Sequence, residues 1–541
     1  MNSLRPSLSL GFLALATLLS LPMLACSAPA KTPAAQPAPT SGAPVVPVAL
    51  AYGAPDTDDG TAPPENRVLP PKSGIPPSFS FPAISHFELK NGLKVRVVQR
   101  PTLPIADVKL VFLSGSATDG GKPGVATLAG EFLKAGGTGA WTSRQLLDRV
   151  ESLGSDLRIV TSRDASSISM SVTKDNVETS LDLISQVARR PKFSGSEYRK
   201  LKKREMDRVA SSAKGDARWA ANMVFFRELF RTADGKHPYA SYDATTKQLE
   251  QVMLYNAKSW YQTHLTPKNA FLVVTGDVTP EIVQQAAEKY FGGWKGEAPK
   301  PLRYAEVTTP SAISIFLVDR PKSAQSQIQV GTFGPPRSSA DWPALKAANQ
   351  VLGGGVAGRL FMDVREKRSL AYSTYSYVSG FAHGPSLISL SAGTQTAKTG
   401  LTLKALLEHL NKMGSAPLDP EELSTATRYL SDAFLLRLET TRAVSSMTAS
   451  LGILGLGDKY YDEYRAAVTA LDEATVQSTA KKYYVGGHAI VVVAGDADRL
   501  QGPLSHFGRV TVIDPDKEFS VVKTVPHNPK ATIELKRIEG T

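Results

Sequence analysis

At 541 residues, 42% hydrophobic and 21% charged, the chain is too long for a single core and too apolar to be largely disordered. Its formal charge of +12 favours anionic partners, but no basic run is interleaved with aromatics, which argues against nucleic acid. Cys26 is the only cysteine, so no intrachain disulfide exists.

In chain order, Arg5 gives a positive start and Leu8 to Leu21 an apolar stretch too short for a comfortable membrane span. The stretch runs into Met23-Leu24-Ala25-Cys26-Ser27. Residues 1–26 resemble a bacterial lipoprotein signal, cleaved before a cysteine that then receives lipid, with Met23 where leucine is usual. The competing reading is a plain secretory signal with an incidental cysteine. The resemblance implies a lipid anchor at Cys26 and a protein facing the periplasm. Ser27 points to the outer membrane rather than the inner. Residues 27–82, rich in Pro, Ala, Ser, Thr and Gly, predict an extended, semi-stiff tether.

The folded part begins near FELKNGLKVRVVQR, where Leu93, Val95 and Val97 alternate with charged residues after an Asn91-Gly92 turn. IADVKLVFLSGS predicts a second strand and Gly124 to Ala135 a helix. SRQLLDRVESLGSDL predicts an amphipathic helix capped by Ser143 and stopped at Gly154. SSISMSV alternates as a strand; helices follow from Asn176 to Ala188 and from Ser194 to about Ser212. This order predicts an α+β fold, with helices on one face of a largely antiparallel sheet.

The pattern then repeats. WYQTHLTPKNAFLVVTGDV, from Trp260, is echoed by KKYYVGGHAIVVVAGDA, from Lys481, and both end a buried strand on Gly-Asp. Strands resembling each other open the two units (ADVKLVFLSGS and SQIQVGTFGPP), so a duplicated domain is expected. The expected boundaries are a first domain at 83–300, a linker at 301–312, a second domain at 313–515 and a polar tail at 516–541.

NGLKVRVV, GVATLAGEFLKAGGTG, RRPKF, HPYA, FLVVTGDV and RLFMDVREKRSLAYS, in this order, resemble the insulinase-like (M16) peptidase family. That family includes mitochondrial processing peptidase and the core subunits of cytochrome bc1, and it implies two homologous domains of the metallohydrolase type. Catalytic members carry His-x-x-Glu-His on the first helix. Its two histidines share a helix face and bind zinc, its glutamate activates water, and a more distant glutamate completes the site. Here Thr127 and Glu131 stand at the histidine positions and Gly130 at the glutamate position. The distal ligand falls at Arg208 or at nearby Glu205. A threonine hydroxyl is a poor zinc ligand and glycine no base, so no metal and no catalytic residue are expected in this chain. The histidines form no HxxH or HxxxH pair, and His237 in HPYA reads as structural.

The second domain keeps Arg365 and Tyr372, seven apart. In active relatives an Arg and a Tyr at this spacing reach the substrate near the zinc, where guanidinium and phenol can hydrogen-bond a peptide carbonyl and its developing oxyanion. Ser369 between them replaces a usual glycine. The plainer reading pairs Arg365 with a neighbouring acid and half-buries Tyr372 in a strand. The glycine-rich Val351 to Leu360 reads either as a strand-to-helix turn or as a helix N-terminal loop. Some bacterial members split the site between two chains. The resemblance therefore implies a noncatalytic subunit of a heterodimeric zinc metallopeptidase. Its partner would be an HxxEH-bearing homologue holding the zinc, and its substrate an extended peptide. The alternative is a structural or peptide-binding scaffold with no peptidase activity.

Overall fold

In chain order the strands are β1 (Ser85–Glu88), β2 (Lys94–Gln99), β3 (Ile105–Phe112), β4 (Arg158–Thr161), β5 (Ser166–Thr173) and β6 (Ala270–Gly276). The second half adds β7 (Ser314–Asp319), β8 (Gln325–Gly334), β9 (Ala371–Ser379), β10 (Ser386–Gln395), β11 (Ile490–Gly495), β12 (Val510–Asp514) and β13 (Ser520–Val525). They come from a computed structural model that describes residues 80–535. Cys26, the signal segment and all but the last residues of the tether lie outside the described residues.

One sheet has the order β1-β2-β6-β3-β5-β4 and the other β13-β12-β7-β11-β8-β10-β9. The run β2-β6-β3-β5-β4 matches β7-β11-β8-β10-β9 strand for strand, and in both the first pair is parallel and the rest antiparallel. Both Gly-Asp pairs close the equivalent strands β6 and β11. The chain is a duplicated α+β domain, as its sequence repeat predicts.

Each central strand is buried on both faces, and alternation sends successive side chains to different cores. In β6, Leu272 and Val274 face the core built with their own half's helices, whereas Phe271 and Val273 meet Ala449 of the helix Thr441–Ile453, which belongs to the second half. In β11, Val491 and Val493 face their own helices, and Ile490, Val492 and Ala494 join the core that holds the helix Ala217–Leu229 of the first half. Each half thus lends a helix to cover the other's sheet. Glycines permit the approach: a Cβ on Gly331 would sit 2.2 Å from the Phe225 ring, and one on Gly452 2.5 Å from the Phe271 ring.

Two local expectations are corrected. The cap of the helix Ser143–Ser152 is Thr142, whose hydroxyl accepts from the Gln145 amide in a reciprocal capping box. The stretch expected as a polar tail from 516 forms β13, because Val521, Val522, Thr524 and Val525 favour a strand and β12 offers an edge to pair with. Its side chains remain mostly exposed, which is why it reads as polar. The linker carries no helix or strand but is fixed in place: Tyr304 stacks on His383 (4.3 Å) and tilts against Tyr239 (5.1 Å).

Candidate functional site

The helix Val125–Ala135 starts from Gly124 at φ 88°, a left-handed turn that suits glycine. Asp119 accepts from the Gly124 amide (2.7 Å) and the Ala126 amide (2.9 Å), satisfying donors of the first turn. Burial lifts the Asp119 carboxyl to about 7, against the downward pull of those two bonds. Thr127 and Glu131, one turn apart, line a cleft of about 640 Å³ with Glu205, Arg208 and Asp243.

Both candidates for the distal position lie at the cleft. Glu205 and Arg208, three apart on the helix Gly195–Gly215, both reach the cleft. Arg208 Nε and Nη2 donate to Glu205 Oε1 (3.0 and 2.7 Å), and Nη2 also to Asp243 Oδ2 (2.7 Å). Trp219 Nε1 donates to the same Asp243 oxygen (2.8 Å). The Glu131 carboxyl is pushed up by burial and by Glu205, and held back by Arg204 and Lys134.

These residues do not fit zinc. Thr127 offers a neutral hydroxyl, Glu205 is engaged by a guanidinium, and Arg208 brings a fixed positive charge where a cation would bind. Gly130 leaves no room for a base, since a Cβ there would lie 2.6 Å from Thr161 Oγ1 on β4. Among the described residues no group of three His, Cys, Asp or Glu side chains converges as a metal cage. His237 is buried, stacks on Phe230 (5.0 Å) and accepts from the Tyr239 amide at Nδ1 (3.1 Å); burial lowers its pKa.

Arg365 and Tyr372 flank a turn in the second half. Arg365 lies in the π-helix Leu360–Lys367, its guanidinium 4.5 Å from the Phe361 ring centre and its Nε 3.3 Å from Glu366 Oε1, with both charged side chains well exposed. Asp363 ties this helix to its surroundings, meeting His409 Nε2 (2.7 Å) and Arg368 Nη2 (2.8 Å). The turn closes through Ser369 N to Arg365 O (3.1 Å) and Leu370 N to Val364 O (2.8 Å). Tyr372 is 58% exposed, not half-buried. It is the extra residue of a bulge: Gly393 pairs with Ser373, and Thr394 with Ala371. Its phenol lies so close to Gly393 that a Cβ there would be 2.5 Å from Tyr372 Oη.

Ser369 adopts φ 49°, the left-handed conformation that glycine takes without strain. The turn is therefore kept despite the substitution. Ser369→Gly is expected to raise stability by about 0.5–1 kcal/mol, read as a higher urea midpoint, with the Lys398 Nζ bond to the residue 369 carbonyl retained. Of the two readings of the glycine-rich segment, the structure keeps the helix N-terminal loop: the segment joins the helix Trp342–Gly353 to the start of the π-helix, and no strand enters it.

Sequence reading missed Asp119, Trp219 and Asp243. Asp119 stands five residues before Gly124, a detectable capping distance. Asp243 arrives at Arg208 only through the tertiary fold.

Two like-ordered sheets in one chain, with a first helix that lacks the His-x-x-Glu-His ligands, have the layout of a metallopeptidase-type double domain. The family models agree: residues 94–230 match "Insulinase (Peptidase family M16)" and residues 254–430 match "Peptidase M16 inactive domain", together more than half of the chain. The chain belongs to peptidase family M16. It is similar to a protein named uncharacterized zinc protease from Streptomyces coelicolor, 30% identical over 41% of this chain and half of that protein's length. A second uncharacterized zinc protease, YmxG of Bacillus subtilis, is 20% identical over 76% of this chain and 98% of its own. Among solved structures, an M16 inactive domain from Pseudomonas fluorescens superposes with TM-score 0.70 at 22% identity, over 76% of this chain and 98% of that one. A protease from Helicobacter pylori also reaches TM-score 0.70, at 20% identity, over 76% and 99%.

Proposed function

We propose that this chain is the noncatalytic subunit of a two-chain M16 zinc peptidase. It is anchored by lipid at Cys26 and faces the periplasm. Its Arg365 and Tyr372 complete an active site whose zinc belongs to an HxxEH-bearing homologue, and the substrate is an extended peptide held by backbone hydrogen bonds. The carrying observation is the contrast between the two halves. The first fills its cleft with an internal cation, Arg208, on Glu205 and Asp243. The second leaves Arg365 and Tyr372 exposed on a turn preserved at the expense of a left-handed serine. Such groups are free to donate to a carbonyl oxygen brought to them.

The test is copurification from native membranes, then zinc analysis and peptide hydrolysis by the isolated chains and by the pair. An HxxEH homologue that copurifies, carries the zinc and cleaves peptides only with this chain present is the expected result. A chain that comes down alone and inert, or a homologue equally active without it, overturns the proposal in favour of a scaffold.

A further inference from the structure

The second half also holds a pocket of about 500 Å³ with a largely apolar lining. Val351 comes from the helix Trp342–Gly353, Val356 and Ala357 from the glycine-rich loop, Tyr375 from β9, and Ala426 and Tyr429 from the helix Pro420–Leu436. Val356 is 62% and Tyr429 50% exposed, so apolar surface stands open to solvent on two sides of the pocket. The walls are fixed without a ligand. Glycines let the loop lie flat on the helix end: a Cβ on Gly354 would be 2.4 Å from Gln350 Oε1, and one on Gly358 2.7 Å from Gly353 Cα. Arg359, at the end of the loop, donates to Glu422 from Nε (3.0 Å) and Nη2 (2.6 Å), fastening the loop to the facing helix. A pocket held open in this way loses little ordering entropy when it is filled.

The pocket adjoins the Arg365 turn. The Tyr375 ring lies 6.3 Å from the Phe361 ring, and the Phe361 ring lies 4.5 Å from the Arg365 guanidinium. These two steps together span at most about three residues of extended peptide, at about 3.3 Å each. Tyr372 is on the same side of the strand. A Cβ on Gly393 would meet both Tyr372 Oη (2.5 Å) and Ser373 Oγ (3.0 Å), which puts these two side chains on one face. Tyr375, two residues beyond Ser373, shares that face by strand alternation. Three acids also line the pocket, and two are in use. Glu422 holds Arg359, and Asp419 caps its helix by accepting from the Glu421 amide (2.7 Å). The Glu421 carboxylate is exposed and, among the described residues, has no hydrogen bond or ion pair.

We propose that this pocket selects the substrate: it takes a large apolar side chain, aromatic or long aliphatic, of an extended peptide lying along Arg365 and Tyr372, and Glu421 pairs with a basic residue next to that side chain. The inference rests on the part of the functional reading that brings a peptide to Arg365 and Tyr372. An apolar side chain entering the pocket leaves water together with the exposed faces of Val356 and Tyr429. In a chain of net charge +12, an unpaired carboxylate at the pocket favours a cation beside the apolar residue and repels an acid there.

The test uses the full chain by itself. Short labelled peptides of Gly, Ser and Thr carrying one Phe-Lys pair are titrated by fluorescence anisotropy, beside the same peptides with Ala-Lys or Phe-Glu. The Phe-Lys peptide is expected to bind about tenfold tighter than Ala-Lys, as for partial burial of one aromatic side chain. It should bind about threefold tighter than Phe-Glu, as for one exposed ion pair. Thr425→Trp fills the pocket from an exposed position on its wall and should equalise Phe-Lys and Ala-Lys. Glu421→Gln should remove the preference for Lys over Glu and keep that for Phe. Both positions are exposed, so melting temperatures should match wild type. Equal binding of Phe-Lys and Ala-Lys by the wild type overturns the proposal, and so does a Phe preference that survives Thr425→Trp. A Lys preference that survives Glu421→Gln overturns the role of Glu421. Selective binding with no zinc-bearing homologue in the copurification keeps the pocket and sinks the peptidase reading; a pair that cleaves peptides without this selectivity does the reverse.

Discussion

Arg365→Ala is expected to lower the turnover of the reconstituted pair by about a hundredfold or more while leaving the two chains associated. Loss of one preorganised donor to a developing oxyanion has an effect of about that size. Stability should scarcely change, because the Arg365 side chain holds little else in place. The Glu366 ion pair is exposed on both sides, and such pairs contribute about 0–1 kcal/mol. The Phe361 ring meets the guanidinium at the surface end of the π-helix, where an exposed cation over a ring adds about 0.5–1 kcal/mol. Arg365→Lys should rescue poorly, since an ammonium does not reproduce the guanidinium fork. Tyr372→Phe removes one hydroxyl from an exposed ring and is expected to reduce turnover by about tenfold. The check is steady-state kinetics of the pair, with copurification as the assembly control. Turnover unchanged in Arg365→Ala would return Arg365 to an ordinary surface residue.

Arg208→Met is expected to cost about 1–3 kcal/mol near neutral pH, and the deficit should shrink on acidification. Breaking a fully buried pair costs more, but the Arg208 side chain is 44% exposed, so solvent screens part of the loss. Glu205 and Asp243 are less exposed and would face each other, and Glu131, without their cation. The Glu131 carboxyl, already raised by burial and by Glu205, would then sit in a cleft with one positive charge fewer. A carboxylate raised in this way leaves stability intact below the unfolded value of about 4 and removes it as pH climbs through the raised folded value. Urea midpoints of wild type and variant should therefore lie closer together at pH 5 than at pH 7. A gap independent of pH would mean that Arg208 contributes packing rather than neutralisation.

Much of this was legible in the sequence. Alternation in LKVRVVQ gave β2, and the Gly-Asp echo gave the duplicated order of the sheets. The empty zinc motif was readable because helix periodicity fixes which residues share a face. The same periodicity hid the cleft's cation: Glu205 and Arg208 are three apart, and both face inward. β4 escaped because Arg158–Thr161 is a four-residue edge strand with too little pattern to announce it. The helix Ala217–Leu229 carried an unread signal. ARWAANMVFFREL is apolar on more than one side, as expected of a helix enclosed between two layers rather than laid on one.

The reciprocal loan of helices bears on how this chain can be taken apart. A protease that nicked the linker near Tyr304 would cut the covalent thread without parting the pieces. Each fragment would still hold the other's sheet through Phe225 under Gly331 and Phe271 under Gly452. Made separately, either fragment would expose the apolar face of its own central strand and be prone to aggregate; made together, they should find each other. The packing that defines the body joins residues hundreds of positions apart, so its folding should be slow and should finish only after β11 has been synthesised.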